Sequence, residues 1–236
     1  MDGIPQSGSY TLSQHVFQIF PTVILRCVTP QKAGDSMNIG IVGAGKVGFS
    51  FGRLLAEKGV RISGYYSRNS DSAREAAEFT NSGHYTDLGK LIEDSDAIFI
   101  TVPDNAITEV YRQVAEFEIQ DKYICHCSGA CTAEEAFPGI HAQGAYAISI
   151  PISSKYNCWR ELAGAFFCVE GDAQAVEVFV PLLRGLGLQV QTISPESKAQ
   201  YHLSCALASN FVCALVQRSA ELLSGCGFSE TDALHA

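Results

Sequence analysis

The chain has little positive charge for its size: 16 Lys and Arg stand against 25 Asp and Glu in 236 residues, a formal net charge of −9. Such a surface repels polyphosphate backbones and anionic lipid, so neither nucleic acid nor a membrane is an expected partner. The apolar stretch VFQIFPTVILRCV, Val16 to Val28, is interrupted by Pro21 and is shorter than the ~20 residues needed to cross a bilayer. No basic segment precedes it, so a secretory signal is not expected. Internal repeats and low-complexity linkers are also absent. Metal-ligand spacing is missing from the nine cysteines. In the densest group, CHCSGAC, Cys125, His126, Cys127 and Cys131 lack a C-x-x-C grip, and alternate strand residues point to opposite faces, so no metal is expected. An odd cysteine count in a chain of this length argues against a disulfide framework. Cys125, Cys127, Cys205 and Cys213 read as small packing residues of a reduced, cytoplasmic protein.

What is present is ordinary globular α/β composition, 47% hydrophobic and 17% charged. Residues 1–36 show no clear period and are expected to be a leader outside the fold. From Met37, short β-branched or aromatic runs alternate with amphipathic stretches of helical length. The strands are NIGIVG, VRISGYYS, DAIFITVP, KYICHC, GAYAISI, AFFCVEG and LQVQTI. Between them lie the helices KVGFSFGRLLAEKG, closed by Gly59; SDSAREAAEFTN, capped by Ser70; DLGKLIEDS; a segment over about 105–116; and DAQAVEVFVPLLRGLG. This alternation predicts a doubly wound, mostly parallel sheet over residues 37–194. At Ser194-Pro195 an N-cap and a proline at the first helical position open a helix that meets no breaker before Gly225. SETDALHA then begins another, with Ser229 and Asp232 at capping-box spacing. Residues 195–236 therefore read as the start of an all-helical C-terminal domain, truncated here, because a helix ended in its first turns cannot bury its apolar face alone.

Gly43-Ala44-Gly45-Lys46-Val47-Gly48 fits G-x-G-x-x-G, with a strand before it and a helix after it. Gly43 permits the tight turn, Gly45 lets a pyrophosphate approach the backbone, and Gly48 lets the helix sit close to the strand. Free N–H groups at the helix start face the anion. It is not a Walker turn, since no second glycine is followed by Lys and Ser or Thr. An NAD site places a carboxylate at the end of the second strand to accept from the ribose 2′-hydroxyl. Here YYSRNS supplies Ser67 and Arg68, with no carboxylate before Asp71. A guanidinium suits a 2′-phosphate, so NADP is the expected cofactor. Val102 and Pro103, in TVPDNAI at the end of the strand DAIFITVP, are expected beside the nicotinamide half, with Asp104 as a helix cap.

Taken in order, MNIGIVGAGKVG, GYYSRN, DAIFITVPDNAI, CHCSGA, AFFCVEG and YHLSCALASNF resemble a family of Rossmann-like NADP oxidoreductases whose C-terminal part is a domain of unknown function. That family is related to pyrroline-5-carboxylate reductase, the F420-dependent NADP reductase and the β-hydroxyacid dehydrogenases. The resemblance implies a Rossmann domain followed by a helical, dimer-forming domain, an active site in the crevice between them, and NADP-linked redox chemistry on a small molecule. It also implies that Ser128, in the Ser-Gly turn after the strand KYICHC, lies against substrate. By the same resemblance Lys198 matches the general-acid lysine of a Lys-x-x-x-Asn arrangement, with His202 standing where the relatives have asparagine. Lys198 and His202 are four apart on one helical face. The His-Pro that relatives carry after the strand matching GAYAISI is absent from AISIPISSKY.

Two functions are compatible with these residues. One is an oxidoreductase moving hydride to or from a small keto or imino substrate. The other is a non-catalytic NADP sensor or assembly subunit, in keeping with the missing histidine near Pro151.

Overall fold

The central strands carry almost no polar side chains, and both faces of the sheet they form are covered. In the computed structural model, which describes residues 37–150 and 158–235, β4 (Ala97–Ile100), β5 (Tyr123–His126) and β6 (Gly144–Ser149) are buried at every position. Near-continuous burial is what a parallel sheet with helices on both faces requires. The remaining strands are β1 (Asn38–Val42), β2 (Arg61–Tyr66), β3 (Gly83–Tyr85), β7 (Phe166–Gly171) and β8 (Gln189–Thr192). Their order is β3-β2-β1-β4-β5-β6-β7-β8, parallel throughout except for the antiparallel pair β6 and β7. The first six positions, read in chain order as 3-2-1-4-5-6, are the doubly wound dinucleotide-binding arrangement. The order reverses between β1 and β4, and ligands of such sheets bind outside the carboxyl ends of the strands at that point.

One face is covered by α1 (Lys46–Glu57), α2 (Ser70–Thr80), α6 (Cys158–Leu162) and α7 (Ala173–Gly185); its core holds Phe49, Phe51, Phe99, Tyr146, Phe167 and Phe179. Tyr146 and Phe179 stack with ring centroids 4.2 Å apart. The opposite face packs α3 (Leu88–Glu93), α4 (Ile107–Val114) and α5 (Ala133–Ala136) through Leu91, Ile98, Ile100, Tyr111, Ile124 and Phe137. Glycine sets how closely α1 can approach. A Cβ at Gly52 would lie 1.9 Å from the Tyr65 hydroxyl, which itself donates to the Gly48 carbonyl at 3.2 Å.

The chain leaves the sheet as one continuous helix, Pro195–Gly225, of 31 residues. It comprises a 3-10 turn (Pro195–Ser197), α8 (Lys198–Ala206), a π-helical segment (Leu207–Phe211) and α9 (Val212–Gly225). A final helix, α10 (Glu230–His235), follows. Within α8 and α9 only Lys198 is buried, while Leu207, Phe211, Leu215 and Leu222 are each more than half exposed. By length and composition this helix is apolar enough to cross a membrane.

Several local expectations need correction. Asn69, not Ser70, caps α2: its Oδ1 accepts from the backbone N–H groups of Asp71 and Ser72 at 3.0 and 3.2 Å. Asp104 does not cap the fourth helix, because it is already the first residue of a 3-10 turn that precedes α4. Strand β3 and helices α5 and α6 escaped the sequence reading, each being six residues or fewer and without a resolvable period. Cys205 and Cys213 are exposed rather than packed, since no described element covers α8 and α9 on that side. The leader expected over 1–36 and the histidine-free segment around Pro151 lie outside the described residues.

Candidate functional site

The glycine turn joins β1 to α1 where the strand order reverses, and each glycine has a distinct neighbourhood. Gly43 has φ +109°, a left-handed conformation that a side chain would strain. A Cβ at Gly48 would lie 2.3 Å from the Gly43 carbonyl oxygen and 2.4 Å from Thr101 Oγ1, so only glycine allows the helix this close. Thr101 Oγ1 donates to that same carbonyl at 2.8 Å and fixes the turn from β4. A Cβ at Gly45 would meet nothing within 4 Å. That open space, in front of the first N–H groups of α1, is the place for a pyrophosphate.

A cleft of about 620 Å³ runs from this turn along the carboxyl ends of β1, β2 and β4. It brings together Gly43, Ala44, Gly45, Ser67, Arg68, Val102 and Pro103 of the expected set. Lys46, Val47 and Gly48 do not line it. Gly48 is buried against the turn, Lys46 is exposed at the start of α1, and Val47 is half-buried, so their contribution is the helix N-terminus itself. Sequence reasoning missed Tyr66, Asn69, Tyr85, Thr86, Glu109 and Gln113 on the walls. Only Asn69, beside Arg68, carried a local signal. Arg68 is exposed, and its guanidinium makes no ion pair among the described residues. The carboxylate across the cleft, Glu109, is paired with Arg112 at 3.3 Å. Glycines, helix start and free arginine fit a dinucleotide with a 2′-phosphate.

Of the three expected catalytic residues, Ser128 and His202 lie at a second place, one strand further along, and Lys198 is tied to it through Glu170 and Ala133. Ile100 of β4 pairs with His126 of β5, so the turn Cys127-Ser128-Gly129 follows β5 beside Thr101 and Val102. Ser128 is buried, and its Oγ accepts from the Ala130 and Cys131 N–H groups, both at 3.1 Å. It closes its own turn; the cap of α5 is Thr132, in a capping box with Glu135. Lys198 is not solvated, as a first-turn lysine usually is: it is 1% exposed and its Nζ donates to Glu170 Oε1 at 2.8 Å. The sequence reading had not singled out Glu170. His202 is exposed, with its ring against the turn: a Cβ at Gly129 would lie 3.0 Å from its Nδ1.

His126 lies beneath this turn. Its Nδ1 accepts from the Ser128 N–H at 3.1 Å, which puts its proton on Nε2. Nε2 makes no hydrogen bond of normal geometry among the described residues, although the Thr132 backbone nearby favours the charged form. Burial first, and then the Lys198 charge, bring its pKa down to about 3. It is a neutral core histidine. No group of three or more metal-ligating side chains occurs among the described residues.

The fold and the glycine cleft define a Rossmann-type dinucleotide-binding protein. Residues 38–128 match the family described as NADP oxidoreductase coenzyme F420-dependent, and residues 165–236 match a domain of unknown function (DUF2520). The first match falls on the glycine turn and strands β1 to β5, the second on β7, β8 and the helices that follow, and the fold is Rossmann-like.

Among solved structures, a Bacteroides fragilis protein assigned as an NADP oxidoreductase superposes with a TM-score of 0.70 at 22% identity, over 85% of this chain and 77% of that one. A Thermotoga maritima protein gives 0.66 at 25% identity, over 83% and 73%. The reductive aminase from Aspergillus terreus in complex with NADPH and ethyl-5-oxohexanoate gives 0.65 at 15% identity, over 85% and 70%, a likeness of fold. The glycerol-3-phosphate dehydrogenase [NAD(P)+] of Leptospira biflexa serovar Patoc is 30% identical over 93 residues, 34% of this chain. The chain spans only 28% of that relative's length.

Proposed function

We propose that this chain is an NADP(H)-dependent oxidoreductase acting on a small keto or imino compound, held where the Ser128–Gly129 turn meets the first turns of the long helix. The observation that carries the reading is the cleft that starts at Gly43–Gly45 and ends on Arg68, which makes no ion pair among the described residues, with no carboxylate at the end of β2. When bound, NADPH supplies a hydride to the carbonyl or imine carbon, and the new oxygen or nitrogen anion takes up one proton. The chain's part is to hold the diphosphate on the α1 N-terminus and to deliver that proton. His202 suits proton delivery, because its ring is exposed and lies against the Gly129 turn. Lys198, enclosed with Glu170, is left a structural and electrostatic part. The first test is fluorescence titration with NADPH and NADH, followed by a panel of keto and imino acids scored for NADPH oxidation. Tighter NADPH binding with oxidation of one class supports the reading; binding of neither coenzyme refutes it.

A second reading, an NADP sensor without turnover, is favoured by one observation: Ser128 and Lys198 are both bound up in internal contacts. Tight NADPH binding with no oxidation across the panel would select it. Two further proposals concern assembly. The exposed apolar side chains at Leu207, Phe211, Leu215 and Leu222 support a homodimer through the helical region, because apolar area of this extent on a helix is normally covered. Light scattering on purified protein tests it; recovery with the membrane fraction would oppose it. A cytoplasmic location is supported by the seven free cysteines among the described residues.

A further inference from the structure

Three segments converge on one carboxylate that the proposed chemistry does not use. Glu170 of β7 stands opposite Ala147 of β6, which stands opposite His126 of β5, so Glu170 and His126 face the same side of the sheet across a single methyl group. Glu170 is 2% exposed. Its Oε1 accepts from the Ala133 N–H at 2.9 Å and from Lys198 Nζ at 2.8 Å, while Oε2 has no partner among the described residues. Ala133 opens α5 and ends the loop that carries Ser128 and Gly129. Lys198 opens α8, and one helical turn later that helix brings the His202 ring against Gly129. The same oxygen therefore holds the loop bearing the turn and the helix bearing the imidazole.

We propose that Glu170 is a positioning residue: through Ala133 on one side and Lys198 on the other, it sets the seat of His202 on the Ser128–Gly129 turn. The inference rests on the reading of that turn as the reaction crevice, but its test does not require turnover. A pair that merely stapled the helix down could be exchanged for apolar side chains of similar volume without moving the imidazole, since such exchanges of buried ion pairs are often neutral or stabilising. A pair that positions works through directed hydrogen bonds, which apolar side chains cannot reproduce.

The experiment uses the full chain with isotope-labelled histidine and reads the nuclear Overhauser effect between the His202 ring and the Gly129 α-protons. In Glu170→Leu/Lys198→Met, which also takes the acceptor from the buried Ala133 N–H, melting is expected to fall by roughly 2 to 12 °C while the protein stays folded and this signal is lost. In Glu170→Gln, which keeps an acceptor for Ala133 but gives up the charge facing Lys198, the signal is expected to fall at least about twofold. Wild-type intensity in the folded double variant overturns the proposal. If the double variant does not fold, wild-type intensity in Glu170→Gln does so. Where the wild type oxidises NADPH, kcat of either variant should drop about tenfold or more, with the NADPH dissociation constant held within about twofold. Loss of the signal in a protein that never turns over would leave the positioning role standing and remove only the enzymatic reading.

Discussion

The two ends of the candidate site are built by different means. At the nucleotide end, residues a few positions apart make the geometry: Gly43, Gly45 and Gly48 form one turn, and Arg68 lies just beyond the next strand. At the crevice end, Gly129, Glu170 and the α8 pair Lys198 and His202 come from three separate segments, joined by the antiparallel return of β7 beside β6. A site made by one local turn tolerates divergence elsewhere in the chain. A site assembled over long range depends on each element keeping its seat. The nucleotide end accordingly suits a shared function, and the crevice end suits one that varies.

The sharpest test of the first half separates two glycines of one motif. Gly48→Ala places a methyl 2.3 Å from a backbone carbonyl oxygen, and overpacking against backbone is expected to destabilise by ~3 kcal/mol. Thermal unfolding should fall by roughly 6 to 12 °C for a protein of this size. Gly45→Ala meets nothing in the fold, so its melting temperature should stay within about 2 °C while NADPH binding weakens about tenfold or more in a fluorescence titration. Equal loss of stability in both variants would break the division between a glycine that packs and one that faces ligand.

The next effect in size belongs to the crevice end and is read by pH. His126 is neutral in the fold, its pKa brought from 6.5 to about 3 by burial and then by Lys198. Between these values the unfolded chain binds a proton that the folded chain refuses, so the stability is present above pH 6.5 and is lost as pH falls toward 3. By pH 5 the loss is ~2 kcal/mol relative to neutrality. Denaturant midpoints across this range should show it, and His126→Leu should flatten the slope. An unchanged slope in that variant would assign the acid sensitivity to another group.

How far the sequence could be read follows the same division. Strands and helices with a full period, the glycine turn and the Ser67-Arg68 pair were all legible, because each depends on neighbours in the chain. Asn69 took the cap from Ser70 by a single position, a choice that hydrogen-bond geometry makes and residue type does not. The enclosure of Lys198 was not legible, since a lysine in a first helical turn has no local reason to be buried. Its partner left one faint mark: Glu170 is the charged residue in AFFCVEG, whose neighbours Phe167, Cys168 and Val169 are all buried. A carboxylate in such a strand needs a cation or N–H donors, and a search for one would have led to Lys198.

Cofactor choice gives a smaller effect and bears on the nucleotide end alone. Arg68→Asp exchanges an attraction to a 2′-phosphate for a repulsion, and each such charge pair near 4 Å is worth ~1 to 4 kcal/mol between water-like and surface-like dielectric. The ratio of NADPH to NADH affinity should fall about tenfold or more, with stability unchanged because the side chain is exposed. An unaltered ratio would move phosphate recognition to another residue of the cleft.

A small change in folding free energy is likewise expected on the helical region, at Phe211→Asp. The phenyl ring is 55% exposed, and surface substitutions usually fall within ~0.5 kcal/mol. Stability of the isolated chain should therefore hardly move, although a carboxylate set into an apolar contact between two copies is costly to desolvate. Light scattering over a dilution series should show the wild type as a dimer and Phe211→Asp as a monomer. If both share one mass, the helix face is covered by something other than a second copy. Full NADPH affinity retained in the monomer would further show that the local end of the site needs nothing from the helical region, while the crevice end, which begins at Lys198 on that same helix, depends on it.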